Sequence, residues 1–518
     1  MKVLFILKDS CMQERLGIML LSSWIKKSGH SCELLMTEGL SVDEIIGKVS
    51  DIDPRILAYS IMTGEHAYYL KLNKKLKKKL AVFSVFGGAH PTFLPDMIEY
   101  EGVDACCLGE GDLAFPELVN RMEQGLDFYD VNNFWFKVNG EIIKNEIGPL
   151  VNMEDLPFPD RDLMYKADPR LGRGGIKSSM TMRGCPYLCT YCFNHAYNEM
   201  NKGKGDVIRP RTVDSVIAEF KQIKQNYPLQ FIQFADDTFL LHTKEWMDEF
   251  AEKFPKEIGV PFSCSIRPNV VMDGLVKSLK NAGCWNVWMG VECGNNKVAI
   301  DLLKRHLPNE KIFEAMEILH KHKVRVFTQN MIGLPIQNPL EVDFETLDFN
   351  IKLKPYFGWS SILYPFPSTP IGKVAMDNGF FHGNFEDVNI SNKSESCLDF
   401  KDPIIQRKIN NLHKIFGIIV EFPILRPLTN FLISLPFTGF YLYLFFFFYG
   451  YKSVWAKISW KERTKMLGAY FNFFVKYVST LEKKISLKQE RPMNLGWKAN
   501  KSTYPQPETF DSDYSRNT

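Results

Sequence analysis

An α/β fold is predicted: two successive series of strands and helices, then a helical, apolar C-terminal region. Three observations carry this. Short apolar runs alternate with amphipathic runs over residues 1–130, the alternation restarts near residue 176, and the chain turns aromatic and uncharged after residue 427. Alternation on this scale marks parallel sheets with helices on their faces. The expected units are 1–130, a linker over 131–175, a second α/β unit over 176–395, a helical region over 396–488, and a polar disordered tail over 489–518.

In the first unit, Val3–Leu7, Ile56–Ser60, Val82–Phe86 and Ala105–Leu108 read as strands, with Leu16–Ser28 and Glu65–Leu80 as helices. Such a Rossmann-like sheet binds ligands beyond the carboxyl ends of its strands. The loops there are Asp9–Arg15, Ser60–Glu65, Gly87–Phe93 and Gly109–Asp112. Ser60, Gly64, Gly87, Gly88 and Gly109 let backbone approach a flat ligand closely. His90 sits among them and suits packing in its loop better than holding a metal. The lysine run Lys71–Lys79 reads as a solvated helix face, because no aromatic residues interleave with it. No nucleic-acid partner is expected.

Phe134–Ile143 predicts a hairpin about Asn139-Gly140, a two-residue turn signal. Leu156-Pro-Phe-Pro-Asp-Arg161 is a proline-stiffened crossing segment. Strands of the second unit are expected at Ser178–Met182, Phe231–Ala235, Pro261–Ser265, Val287–Val291, Val326–Met331 and Gly358–Tyr364. Helices fill the gaps at Val213–Asn226, Lys244–Phe254, Asp273–Ala282, Asn309–His322 and Glu341–Leu353.

After the first of those strands comes Met182-Arg-Gly-Cys-Pro-Tyr-Leu-Cys-Thr-Tyr-Cys-Phe193. Cys185, Cys189 and Cys192 are spaced so that one tight loop can aim three thiolates at one centre. Three thiolates on a four-iron cubane leave one iron open, where a substrate or cosubstrate can bind. The competing reading is a structural zinc site completed by His195. Eleven cysteines without an even framework point to a reducing compartment, so a cytoplasmic location is expected.

The stretch resembles the cluster loop of the radical S-adenosylmethionine (radical SAM) enzymes. The resemblance implies that Cys185, Cys189 and Cys192 ligate three irons of a [4Fe–4S] cluster, with Tyr191 beside it. S-adenosylmethionine would chelate the fourth iron and be cleaved to a 5′-deoxyadenosyl radical, with flavodoxin or ferredoxin as reductant. It also implies a partial (β/α)6 TIM-type barrel with active groups at the strand C-termini. Five further stretches follow in the family's order. Phe231–Phe239 offers Asp236 or Asp237 to the methionine ammonium, with one of the pair free to cap the next helix. Ser265-Ile-Arg-Pro268 offers Arg267 to the carboxylate. Gly290-Val-Glu-Cys-Gly294 offers Glu292 to the ribose hydroxyls or the amino group, with Lys304-Arg305 downstream. Asn330–Pro335 offers backbone at Ile332 and Gly333 to the adenine. Tyr364–Pro370 helps close the site. Ile336, Gln337 and Asn338 depart from the family's pattern, so no glutamate role is carried over there.

The first unit resembles the cobalamin-binding domain that precedes the barrel in one radical SAM subgroup. Leu16-Gly17, Gly29-His30 and Gly87-Gly-Ala-His-Pro-Thr92 carry that resemblance. The loop Asp9-Ser-Cys-Met-Gln-Glu14 departs from it: Cys11 stands at the place of the cobalt-binding histidine and Glu14 at the place of a glycine. No histidine ligand to cobalt is expected. The resemblance implies methyl transfer to an unactivated carbon, fed by a second S-adenosylmethionine. The rivals are a radical rearrangement or cyclisation without methyl transfer, and a non-catalytic zinc- or cobalamin-binding protein.

A net charge of +3 does not advertise a polyanionic partner, but Arg407–Lys488 holds 13 Lys/Arg against 3 Asp/Glu, leaving the remainder near −7. Pro427–Tyr451 runs 25 residues without a charge. It suits a bilayer span, a shallow dip into an interface, or a helical cap on the barrel. Lys452–Lys488 reads as a basic amphipathic stretch, suited to an anionic membrane surface or to packing on the barrel. A small-molecule or lipid-like substrate and peripheral contact with the inner membrane face are expected on these grounds.

Overall fold

The computed structural model describes residues 1–385, 388 and 395–453. Its first sheet has seven strands: β1 (Lys2–Leu7), β2 (Ser31–Met36), β3 (Ile56–Ser60), β4 (Phe83–Gly87), β5 (Ala105–Cys107), β6 (Phe134–Val138) and β7 (Glu141–Lys144). The order is β2-β1-β3-β4-β5-β6-β7, parallel through β5 and antiparallel beyond it. Sequence order reverses between β1 and β3, and an open α/β sheet takes its ligand at that crevice. The loops after β1 and β3 border it. The β6–β7 hairpin joins this sheet. Asn139 and Gly140 have φ of 52° and 88°, as a two-residue hairpin turn requires.

Two elements here were not expected. β2 is an edge strand in which exposed Ser31 and Glu33 flank buried Cys32, so its apolar signal is weak. The helix Val42–Ile52 did announce itself. The Ser41 hydroxyl accepts from the Glu44 N–H, and the Glu44 carboxylate accepts from the Ser41 N–H at 2.7 Å, a capping box.

The second sheet contains β8 (Ile176–Ser179), β11 (Phe231–Phe234), β12 (Phe262–Ile266), β13 (Cys284–Glu292), β14 (Arg325–Ile332) and β15 (Phe357–Ile362), all parallel and in sequential order. This is the partial six-stranded barrel. β9 (Met182–Arg183) and β10 (Arg209–Pro210) form a separate antiparallel clip beside it. Phe220, Phe234, Phe239, Phe250, Phe254 and Phe262 fill one side of the sheet.

Buried charges lock the two sheets together. Arg161 donates to Glu14 at 2.8 Å, to Glu219 at 2.9 Å and to the Ser178 carbonyl at 2.7 Å. Glu219 also accepts from Arg211 at 2.6 Å and from the Ser179 hydroxyl at 2.9 Å. Glu14 further accepts from the Ser178 N–H and the Tyr165 hydroxyl. Glu14, the departure in the first loop, therefore ties that loop to the first barrel strand. Asp160 accepts from Ser22 at 2.6 Å, which pins the crossing segment to the first helix.

The helix Pro403–Glu421 covers the open edge at β15. A Cβ on Gly417 would lie 2.7 Å from the Gly358 carbonyl oxygen, so helix and strand approach to backbone contact. The uncharged run Pro427–Tyr451 breaks at Leu435 between two helices, Thr429–Ser434 and Thr438–Ser453. The second packs Phe445, Phe448 and Tyr449 against Phe357 and Trp359. No helix among the described residues is long and apolar enough to cross a membrane. The basic stretch from 454 and the tail lie outside the described residues.

Candidate active site

The cysteine loop is built by backbone constraint. Gly184 has φ of 100°, and a Cβ there would fall 1.7 Å from the Val207 carbonyl oxygen, so only glycine fits ahead of Cys185. Asn198 donates to the Cys185 carbonyl at 2.9 Å, Cys192 N–H to the Cys189 carbonyl at 3.1 Å, and Thr190 Oγ1 to the Leu302 carbonyl at 2.7 Å. Desolvation pushes the Cys192 thiol up to about 12 and raises Cys185, with the charge of Asp237 adding to both. Among the described residues no three Cys, His, Asp or Glu side chains converge as a single ion requires. His195 Nδ1 is buried with no hydrogen-bond partner.

The two aspartates divide. Asp236 is buried and accepts from the Thr181 N–H at 2.7 Å, the Met182 N–H at 2.8 Å and Thr181 Oγ1 at 2.9 Å. Burial pushes its carboxyl up to about 7, against the pull of those donors. It anchors the chain entering the cysteine loop and is not free for a ligand. Asp237 is exposed, bonds Asn194, and faces the Cys185 and Cys192 thiols, so it is the carboxylate open to an ammonium.

Arg267 donates from Nη1 to Cys189 Sγ at 2.9 Å and from Nη2 to the Arg305 carbonyl at 2.7 Å, while its Nε is buried without a partner. It reaches the sulfur rather than standing clear of it. Arg305 donates to the Tyr191 hydroxyl at 2.7 Å and the Gly290 carbonyl at 2.6 Å, and lies 3.5 Å from Glu292. Tyr191, Arg305 and Glu292 thus join the cysteine loop to the end of β13. Glu292 takes φ of 69° there, where the β13–β14 register shifts. Desolvation raises its carboxyl while Arg305 and Tyr191 pull it down.

Two backbone polar groups at the end of the fifth strand bond within the protein. The Gly333 N–H donates to both oxygens of buried Asp343, at 3.0 and 3.2 Å, and the Ile332 carbonyl accepts from the Leu363 N–H at 3.1 Å. Ile409 of the capping helix lies where a Gly333 Cβ would go, at 2.9 Å.

In the first sheet, His90 is buried and stacks on His66 with ring centroids 4.0 Å apart. Its Nδ1 pairs with Thr63 Oγ1 at 3.1 Å, and desolvation holds it well below the ordinary histidine range. His90 therefore packs within its loop, as its place in the sequence suggested. Ser60 pairs with Gly87 across the strand ends, and Gly88 brings its loop against Ile61. Gly64 donates to His66 at 3.3 Å. Cys11 donates its thiol to Asp9 at 2.6 Å; partial desolvation and that carboxylate hold it up at about 12, as a thiol and a poor metal ligand.

The loop Gly109–Asp112 does more than admit a flat ligand. Arg183 makes a two-pronged contact with Asp112 at 2.7 and 3.1 Å, and Arg209 makes one with Glu110 at 2.6 and 2.9 Å. Arg183 and Arg209 pair across the β9–β10 clip. Arg209 and Arg183 outweigh burial and take the Glu110 carboxyl down to about 2. Gly109 gives room to Met200, 3.2 Å from its Cβ position on the helix that follows the cysteine loop, and Phe93 meets Phe193 at 6.1 Å. The ligand-side loops of the first sheet thus face the cysteine loop. Glu14, Glu110, Asp112, Arg161, Arg183 and Arg209 escaped the sequence reading as site residues. Acidic residues in a glycine-bounded loop at a strand end were the available signal.

The arrangement fits a cluster and a flat cofactor between the units. Arg15 Nε and Arg267 Nε, one on each side, are buried donors without partners. Met12, Met62, Leu188 and Phe193 on the facing loops are 39–52 % exposed, apolar surface that a macrocycle would cover.

The radical SAM superfamily model matches residues 179–346 and the B12 binding domain model matches residues 12–119. An uncharacterised methyltransferase of Pyrococcus horikoshii is 28% identical over 70% of this chain and 78% of its own. The cobalamin-dependent S-adenosylmethionine radical enzyme OxsB superposes with a TM-score of 0.59 at 19% identity, covering 72% of this chain and 55% of that one. The radical S-adenosylmethionine methyltransferase TsrM of Kitasatospora setae, solved with tryptophan and a cosubstrate analogue, gives 0.59 at 16% identity, covering 73% and 76%.

Proposed function

We propose, from the premise that this chain belongs to the radical SAM enzymes carrying a B12-binding domain, that it transfers a methyl group to an unactivated carbon of a small-molecule substrate. The cofactors of this class are a [4Fe–4S] cluster, S-adenosylmethionine and cobalamin. When bound, they supply one-electron cleavage of a carbon–sulfur bond and a methyl carrier, with electrons from an external reductant. The protein holds and orients. Cys185, Cys189 and Cys192 offer the thiolates, and Arg267 steadies the Cys189 sulfur. Asp237 offers a carboxylate to an ammonium, and Glu292, fixed by Arg305, offers a second acceptor. The Glu14–Arg161 and Glu110–Arg209 contacts keep the two units in one register.

The observation that carries the reading is the paired contact of Arg183 with Asp112 and Arg209 with Glu110. It seats a ligand loop of the first sheet on the strand that leads into the cysteine loop. One chamber then serves both cofactors. The names of the Pyrococcus horikoshii relative and of TsrM support methyl transfer. The test is an anaerobic incubation of loaded protein with methyl-labelled S-adenosylmethionine, reductant and candidate small molecules. Formation of both 5′-deoxyadenosine and S-adenosylhomocysteine, with label in a product, is expected. 5′-Deoxyadenosine without S-adenosylhomocysteine across those substrates would replace methyl transfer with rearrangement or cyclisation.

A further inference from the structure

Exposed apolar surface is unevenly spread. Ten of the eighteen large apolar side chains that stand exposed among the described residues fall between Ile404 and Tyr451. Phe422, Ile424 and Phe431 lead into the last helix, with Ile424 85 % exposed. On that helix Phe440 and Phe447 share one face, 58 % and 61 % exposed, while Phe445, Phe448 and Tyr449 point to the barrel. A single apolar residue in water is unremarkable; a concentrated face marks a contact. The helix carries no acidic residue, and over 403–453 there are five Lys/Arg against Glu421 alone. Glu421 is itself paired to Lys452 at 2.8 Å. The next residues, 454–488, add eight Lys/Arg against two Glu.

Apolar aromatic surface joined to a cationic chain complements a lipid surface with anionic headgroups. A second copy of this chain would bring like charge to like, and is disfavoured on that ground. We propose that the Pro403–Ser453 region seats the protein on an anionic bilayer surface, with the Phe440 and Phe447 face entering the headgroup boundary and the basic residues beside the phosphates. This is a peripheral contact, consistent with the described residues holding no helix long and apolar enough to cross. It is independent of the proposed methyl transfer, and its test does not read activity.

The experiment is flotation of the full chain, anaerobically purified, with phosphatidylcholine vesicles against vesicles containing phosphatidylglycerol. Binding to the anionic vesicles, weakened by raised salt, is expected. The double substitution Phe440→Glu and Phe447→Glu should lower the bound fraction at least about tenfold while leaving the melting temperature unchanged, since both side chains stand in water. Three results would overturn the proposal. One is no binding of the full chain to anionic vesicles. Another is equal binding by the double variant. The third is a lipid-free dimer that the double substitution dissolves, which would assign the face to a second copy.

Discussion

Replacing Cys185, Cys189 or Cys192 singly by alanine is expected to lower reductive cleavage of S-adenosylmethionine at least about a hundredfold, since disturbing mere supports of metal ligands already costs ten to a hundred. The loop itself should survive. Its shape comes from Gly184, from Asn198 on the Cys185 carbonyl, from Thr190 on the Leu302 carbonyl and from Asp236 on the Thr181 and Met182 N–H groups. None of these uses a sulfur. The variants should therefore keep the melting profile of the metal-free protein and fail in iron and sulfide content. 5′-Deoxyadenosine formation, measured anaerobically, is the readout. Wild-type iron content in the Cys185→Ala protein would remove that residue from the ligand set.

The second large effect is on stability. Arg161→Ala should cost about 3–5 kcal/mol, because it strands buried charge rather than merely deleting a contact. Glu14 and Glu219 have side chains 3 % and 1 % exposed, and both accept from the one guanidinium. Without it Glu219 keeps Arg211, but Glu14 keeps only the Ser178 N–H and the Tyr165 hydroxyl. The melting temperature should fall by roughly 10 °C. Arg161→Lys should recover only part of the loss, since an ammonium cannot reproduce the forked geometry that serves Glu14, Glu219 and the Ser178 carbonyl together. A melting temperature unchanged in the alanine variant would show that the Glu14 link does not hold the two units.

Much of this architecture could be read from residue order. Alternating apolar and amphipathic runs located every barrel strand within a few residues, because buried parallel strands are continuous apolar segments. β2 escaped because this edge strand leaves Ser31 and Glu33 in water and only half buries Leu34, Leu35 and Met36. The cysteine loop was legible because its pattern is local, with three cysteines inside eight residues. What remained hidden was long-range. Asp236 and Asp237 are neighbours in sequence with opposite environments, and only the fold turns one onto the Thr181 backbone and the other to solvent. The Gly333 N–H donates to Asp343 on the following helix, and Ile409, which fills the space beside it, lies on the capping helix. Glu110 and Asp112 read as part of a glycine loop until Arg183 and Arg209, more than seventy residues further on, were seen to grip them.

The central claim is that the cobalamin loops and the cluster loop border one chamber. The most direct measurement is the electron paramagnetic resonance relaxation of bound cob(II)alamin, with the cluster oxidised and then reduced. The paramagnetic reduced cluster should shorten the relaxation and broaden the cobalt signal, and Cys185→Ala should abolish the change. The cobalt signal should also lack splitting from a histidine nitrogen, since Cys11 stands in the first loop and His66 and His90 are stacked inside the domain. A cobalt signal unchanged on cluster reduction, with both cofactors verified as loaded, would contradict the shared chamber.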